Sequence, residues 1–121
     1  MAKIDDIICT ALDSAQKQGL RIVRGPCFIW GKENKLEAVD WCGAVLVYMN
    51  KAIKGFPKGW LREMCLYLGK DYYWFRSFNY GWSQLRPLEY YEEDEKTKKK
   101  KYFPDKDSLI GIKIGKKYVE K

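Results

Sequence analysis

A chain of 121 residues, 46% apolar and 16% aromatic, is long enough for one hydrophobic core and too short for two, and its 32% charged content leaves it outside the class of disordered polymers. The net charge of +7 arises from 13 basic against 9 acidic residues in 1–90 and 10 against 7 in 91–121, so the excess is spread along the chain rather than gathered in one block. The longest apolar stretch, Cys42 to Met49, falls well short of the roughly 20 residues a membrane-spanning helix needs, and the start Met1-Ala2-Lys3-Ile4-Asp5-Asp6 lacks the basic-then-apolar order of a secretory leader. The expectation is a single domain over residues 1–121, cytoplasmic, with no membrane association and of mainly α (α+β) type. About five short helices and a small N-terminal β-hairpin should compose it.

Ile4, Ile8, Ala11, Leu12 and Ala15 recur at three- and four-residue steps between Ile4 and Lys17, with Gly19 just beyond, which predicts an amphipathic helix. Asp5 and Asp6 in its first turn and Lys17 in its last complement the helix dipole. From Leu20 to Trp30 the periodicity changes around Arg24-Gly25-Pro26, and two short strands about a turn fit best. Gly31 to Lys35 reads as a polar loop. Ala38 to Met49 is apolar around most of a helix and should be central.

Pro57 suits a first helical turn; Leu61, Met64, Cys65 and Leu68 mark one face, and Gly69 stops that helix. Asp71 can cap a fourth helix, Tyr72 to Asn79, ended by Gly81. After Pro87 an acidic block, Glu92-Glu93-Asp94-Glu95, meets a basic one, Lys98-Lys99-Lys100-Lys101; residues of about 92–106 should form an exposed charged loop or hairpin tip. Asp107-Ser108 could cap a last helix over Leu109 to Glu120. Ile110, Ile112 and Ile114 alternate as in a strand, so helix and strand compete there, with helix favoured.

Cys42-Gly43-Ala44-Val45-Leu46, then Leu68-Gly69 closing a helix, then Phe78-Asn79-Tyr80-Gly81-Trp82, and finally Ile110-Gly111-Ile112-Lys113, form an ordered set of short motifs. In that order the chain resembles small proteins encoded by bacteriophages and prophages, over about Val23 to Val119. It departs from their pattern at Trp41-Cys42-Gly43, where the leucine before the glycine is missing. The resemblance carries no catalytic residue over. It implies an origin in a phage or other mobile element, and with it a role acting on host macromolecules or on the phage's own nucleic acid.

Chemistry-bearing motifs are sparse. There is no histidine, no G-x-x-x-x-G-K phosphate loop and no C-x-x-C pair among Cys9, Cys27, Cys42 and Cys65; these thiols read as reduced, small apolar side chains, with no metal and no cofactor expected. Gly55-Phe56-Pro57-Lys58-Gly59 reads as a turn, and a carboxylate pair such as Asp40 with Glu63 has no spacing that singles it out. The expectation is therefore a protein that is not an enzyme.

The strongest functional signal is Tyr72 to Trp82, with seven aromatics in eleven residues, more than one helical face can bury. Tyr73, Trp74, Arg76, Tyr80 and Trp82 are the candidates for a partner-binding surface that engages or inhibits a host protein, since exposed Tyr, Trp and Arg dominate interface hot spots. The alternative is nucleic-acid or nucleotide binding, including sequestration of a cyclic nucleotide, through Arg21, Arg24, Arg62, Arg86 and Lys98, Lys99, Lys100 and Lys101 with aromatic stacking.

Overall fold

The computed structural model describes residues 4–49 and 59–119, which form five α-helices and five strands in two small sheets, a mixed α+β architecture. Helix α1 (Ile4–Lys17) buries Ile8, Ala11, Leu12 and Ala15, the stripe its spacing predicts. It ends at Gly19, whose φ of +84° is the left-handed conformation that lets the Leu20 N–H return to the Ala15 carbonyl at 3.0 Å.

The N-terminal hairpin is corrected to a three-stranded sheet. Strands β1 (Arg21–Ile22) and β2 (Phe28–Trp30) do not pair with each other. Between them lies β3 (Leu36–Val39), parallel to β1 with Ile22 opposite Val39, and antiparallel to β2 with Phe28 opposite Val39. The apolar run starting at Ala38 is thus divided. Ala38 and Val39 complete the sheet, and α2 (Trp41–Tyr48) begins only after Asp40, whose carboxylate accepts the Gly43 N–H at 2.8 Å as an N-cap. A period-based reading merges the two because every residue from Ala38 to Leu46 is buried.

Helix α3 (Trp60–Leu68) stops at Gly69 in the left-handed region, as expected; Pro57 and the 55–58 portion of the expected turn lie outside the described residues. Helix α4 (Tyr72–Gln84) is capped by Asp71, whose Oδ1 accepts the Trp74 N–H at 2.9 Å. It runs through Gly81 instead of ending there. Gly81 serves helix contact: a Cβ at this position would overlap the Ser108 carbonyl of α5 (Lys106–Tyr118). Residues 106–118 are therefore helix, capped by Asp105 and not by Asp107-Ser108, with Asp105 Oδ1 accepting the Asp107 and Ser108 N–H groups. The alternating isoleucines follow from glycines 111 and 115, which interrupt the apolar face so that α5 can lie close to α4.

Trp41 is the centre of the core. Its ring lies 4.7 Å from that of Phe78 and 5.7 Å, edge-on, from Trp74, and its indole N–H donates to Asn79 Oδ1 at 3.0 Å. Tyr118 ties α5 back to α1 by donating to Asp13 Oδ1 at 2.8 Å; burial and that acceptor hold its phenol above the usual range. No helix among the described residues is long and apolar enough to cross a membrane.

The charged segment forms a second sheet. Strands β4 (Glu89–Glu93) and β5 (Lys100–Pro104) pair antiparallel, with Tyr90 opposite Phe103, Tyr91 opposite Tyr102, Glu92 opposite Lys101 and Glu93 opposite Lys100. Asp94 organises the tip: its Oδ1 accepts the Lys96 and Thr97 N–H groups, which hold its carboxyl below the usual range, and Lys98 takes a left-handed conformation at φ +59°. Two aromatic rungs followed by two rungs of opposite charge supply the cross-strand pairs that the composition of the segment did not suggest.

Candidate functional site

The aromatic helix separates its side chains by depth. Trp74 and Trp82 are corrected from the expected binding surface: they are 6% and 0% exposed, and the Trp82 indole donates to the Val23 carbonyl at 3.3 Å. Tyr73, 74% exposed, and Arg76 face solvent, and half-buried Tyr80 follows one turn later. Positions 73, 76 and 80 share one side of α4 at i, i+3 and i+7.

This stripe borders the base of the hairpin. Tyr73, Arg76 and Ser77 line a cleft of about 210 Å³ together with Leu88, Glu89, Tyr90 and Asp105. A second cleft, of about 390 Å³, is lined by Tyr80, Arg86, Pro87, Leu88 and Glu89. Leu88 and Glu89 belong to both, so the two clefts join side by side along α4. The Arg86 guanidinium sits 5.9 Å from the centre of the Tyr80 ring, within reach of a cation–π contact that holds it against the stripe. The hairpin's position rests on Leu88, whose N–H donates to the buried Ser108 hydroxyl at 2.9 Å and whose carbonyl accepts the Asp105 N–H at 2.7 Å. Neither Leu88 nor the hairpin tyrosines stood out in the sequence. The signal that could have found them is the aromatic pair Tyr90-Tyr91 against the pair Tyr102-Phe103 on either side of a turn.

The arginine cluster does not form. Arg24 donates from Nη1 to the Trp82 carbonyl at 2.9 Å and so closes the last turn of α4, a structural task. Arg62 lines a separate cleft with Leu61, Cys65, Leu66, Lys70 and Tyr72; Arg86 lines the Tyr80 cleft; Arg21 is exposed on β1. The lysine run is also divided. Lys98 and Lys99 belong to the hairpin tip, while Lys100 and Lys101 lie in β5 over the rings of Tyr91 and Phe103, at 4.7 and 5.3 Å. Glutamates 93 and 92 lie opposite these two lysines and weaken their field.

Compared with known proteins, the chain matches no family model, no curated protein and no solved structure.

A second cluster lies away from the stripe. The fold brings the Cys27 and Cys42 sulfurs and a carboxylate oxygen of Asp40 within 4.8 Å of one another, at the junction of β2, β3 and α2. Burial is the main cause that pushes the Asp40 carboxyl up to about 6, against the hydrogen bonds that it accepts. Cys42 is pushed above the usual thiol range, chiefly by its hydrogen bond with Cys27 and then by burial. Spacings of 13 and two residues gave no sign of this meeting, because it depends on the register of β2 against β3.

Proposed function

We propose that the chain is a non-enzymatic binding protein that engages another protein, and inhibits it by occupying its surface, through the face formed by α4 and the base of the hairpin. The observation that carries this reading is the continuity of Tyr73, Arg76 and Tyr80 with Arg86, Leu88 and Tyr90 across two adjoining clefts. Tyrosine and arginine present large, partly rigid contact area with polar ends, the composition of interface hot spots. The same clefts hold Glu89 and Asp105, so the surface is mixed in charge. Mixed charge suits a protein partner more than a phosphate backbone, which favours concentrated positive charge. The phage resemblance makes a bacterial host protein the fitting class of partner.

The test is capture from nuclease-treated bacterial lysate with the wild-type chain and with a Tyr73→Ala/Arg76→Ala double variant, both verified as folded. Loss of the captured protein in the variant is expected; undiminished capture removes the site assignment. Nucleic-acid or nucleotide binding is the competing reading, and it has one favourable observation, the lysines over the hairpin rings of exposed Tyr91 and half-buried Phe103. Titration of labelled single- and double-stranded oligonucleotides and of a cyclic dinucleotide distinguishes it: tight binding that falls steeply with salt would replace the protein-partner reading.

A further inference from the structure

Three groups that compete for the same small volume meet where the first sheet joins α2. Cys27 precedes β2, Asp40 is the N-cap of α2, and Cys42 is the second residue of that helix. Their donor atoms all lie within 4.8 Å of one another. Cys27 is held in place by backbone: its carbonyl accepts the Asp40 N–H at 3.3 Å and lies so close to Gly43 that a Cβ there would overlap it. Gly43 is thus what allows the Cys27 strand end to approach the first turn of the helix.

Asp40 is 4% exposed, and burial followed by hydrogen bonds acts most strongly on its carboxyl. Its carboxylate is served by the Gly43 N–H and the Cys27 thiol, and Cys27 in turn hydrogen-bonds Cys42. Met64 adds a third sulfur, its Sδ accepting the Cys42 thiol at 3.6 Å. Cys27 is partly exposed and gives the cluster a route to solvent.

We propose that Cys27, Asp40 and Cys42 form a binding site for a thiophilic divalent cation of the zinc class. Zinc takes thiolate sulfur at about 2.3 Å and carboxylate oxygen at about 2.0–2.2 Å, so tetrahedral coordination needs sulfurs roughly 3.8 Å apart, a spacing within the bound that the structure sets. The oxygen donor favours zinc over cuprous copper, which prefers an all-sulfur set. Binding breaks two S–H bonds, releases two protons to water and forms two metal–thiolate bonds; the carboxylate supplies the third ligand. The fourth position is open for water. The N-terminus of α2 supports the negative charge left on the ligands. This site is independent of the α4 surface, and neither inference depends on the other.

The experiment is a cobalt(II) titration of the fully reduced, metal-free chain, followed by displacement with zinc. Tetrahedral cobalt bound by thiolate gives a near-ultraviolet charge-transfer band and intense visible bands. The expected result is one cobalt per chain with both features, bleached by zinc. Cys27→Ser should weaken the charge-transfer band by about half and lower the affinity at least 10-fold, since loss of even an outer-shell partner costs about that much. Asp40→Asn, which keeps an N-cap side chain and so preserves α2, should also lower affinity. Cys9→Ser and Cys65→Ser should leave the spectrum unchanged. Absence of tetrahedral bands in the reduced wild-type chain overturns the proposal, as do bands that persist at full strength in folded Cys27→Ser and Asp40→Asn proteins.

Discussion

Gly111 of α5 lies directly against the Phe78 carbonyl of α4, closer than any side chain would allow. The contact fixes how near the two helices approach, and with it the position of Ser108, which holds Leu88 at the base of the hairpin. One glycine therefore connects core packing to the proposed binding face. Gly111→Ala should destabilise the fold by about 1–3 kcal/mol, because the added methyl meets backbone that cannot turn aside. Gly115→Ala is the control: its Cβ would make ordinary contact with Trp82 at 3.4–3.6 Å, and alanine in a helix gains about 0.5–1 kcal/mol over glycine. Urea unfolding of the two variants should move in opposite directions.

Arg24 illustrates how a binding residue in sequence becomes a structural one. Its guanidinium satisfies the Trp82 carbonyl in the last turn of α4. Arg24→Ala should cost about 1–3 kcal/mol of stability while leaving the exposed stripe intact. Denaturant midpoint and partner capture, measured together, check this: the midpoint should fall and capture by the folded fraction should persist.

Leu85 ends α4 in the left-handed conformation at φ +59°, an arrangement that disfavours a branched side chain. Its side chain is 39% exposed, so its removal forfeits only part of a leucine's burial. Leu85→Gly should therefore raise stability by up to about 1 kcal/mol, the relief of the left-handed strain being partly offset by the greater freedom of glycine in the unfolded chain. A thermal midpoint that drops in this variant would contradict the assignment of strain.

Asp40 gives the metal-free chain a pH dependence. Its carboxyl titrates at about 6 in the folded chain, against an ordinary value of 3.8. The folded state therefore holds the proton more tightly than the unfolded state. The resulting stabilisation is fully present below the ordinary value and is lost as pH rises through about 6. Between these limits the change is on the order of 3 kcal/mol. Asp40→Asn should flatten the stability profile in this window, with chelator present throughout. An equal slope in wild type and variant would remove the carboxyl as its source.

Most helices were legible because their apolar residues repeat at helical steps and their ends carry Asp71 or Gly69. The first sheet was not, since β3 contains four residues and runs straight into a helix that is buried all round; periodicity has no polar face to register against. On the proposed binding face, Tyr73, Arg76 and Tyr80 were readable as surplus aromatic and cationic residues on α4. Trp74 and Trp82 could not be assigned to depth without knowing that Trp41 and α5 cover them. The meeting of Cys27 with Cys42 and the dispersal of the arginines depend on strand order and helix crossing, which no local pattern encodes.

If the α4–hairpin face meets a protein, a photo-crosslinking amino acid placed on it will capture that protein covalently. Benzoylphenylalanine at position 73 samples that face, whereas the same group at position 67, an exposed tyrosine of α3, samples another surface. After irradiation in bacterial lysate, position 73 should give a discrete covalent adduct that is sensitive to protease and resistant to nuclease, and that is lost when Arg76→Ala is added. Position 67 should give none. The same adduct from position 67, or an adduct from position 73 that disappears on nuclease treatment, would contradict the account.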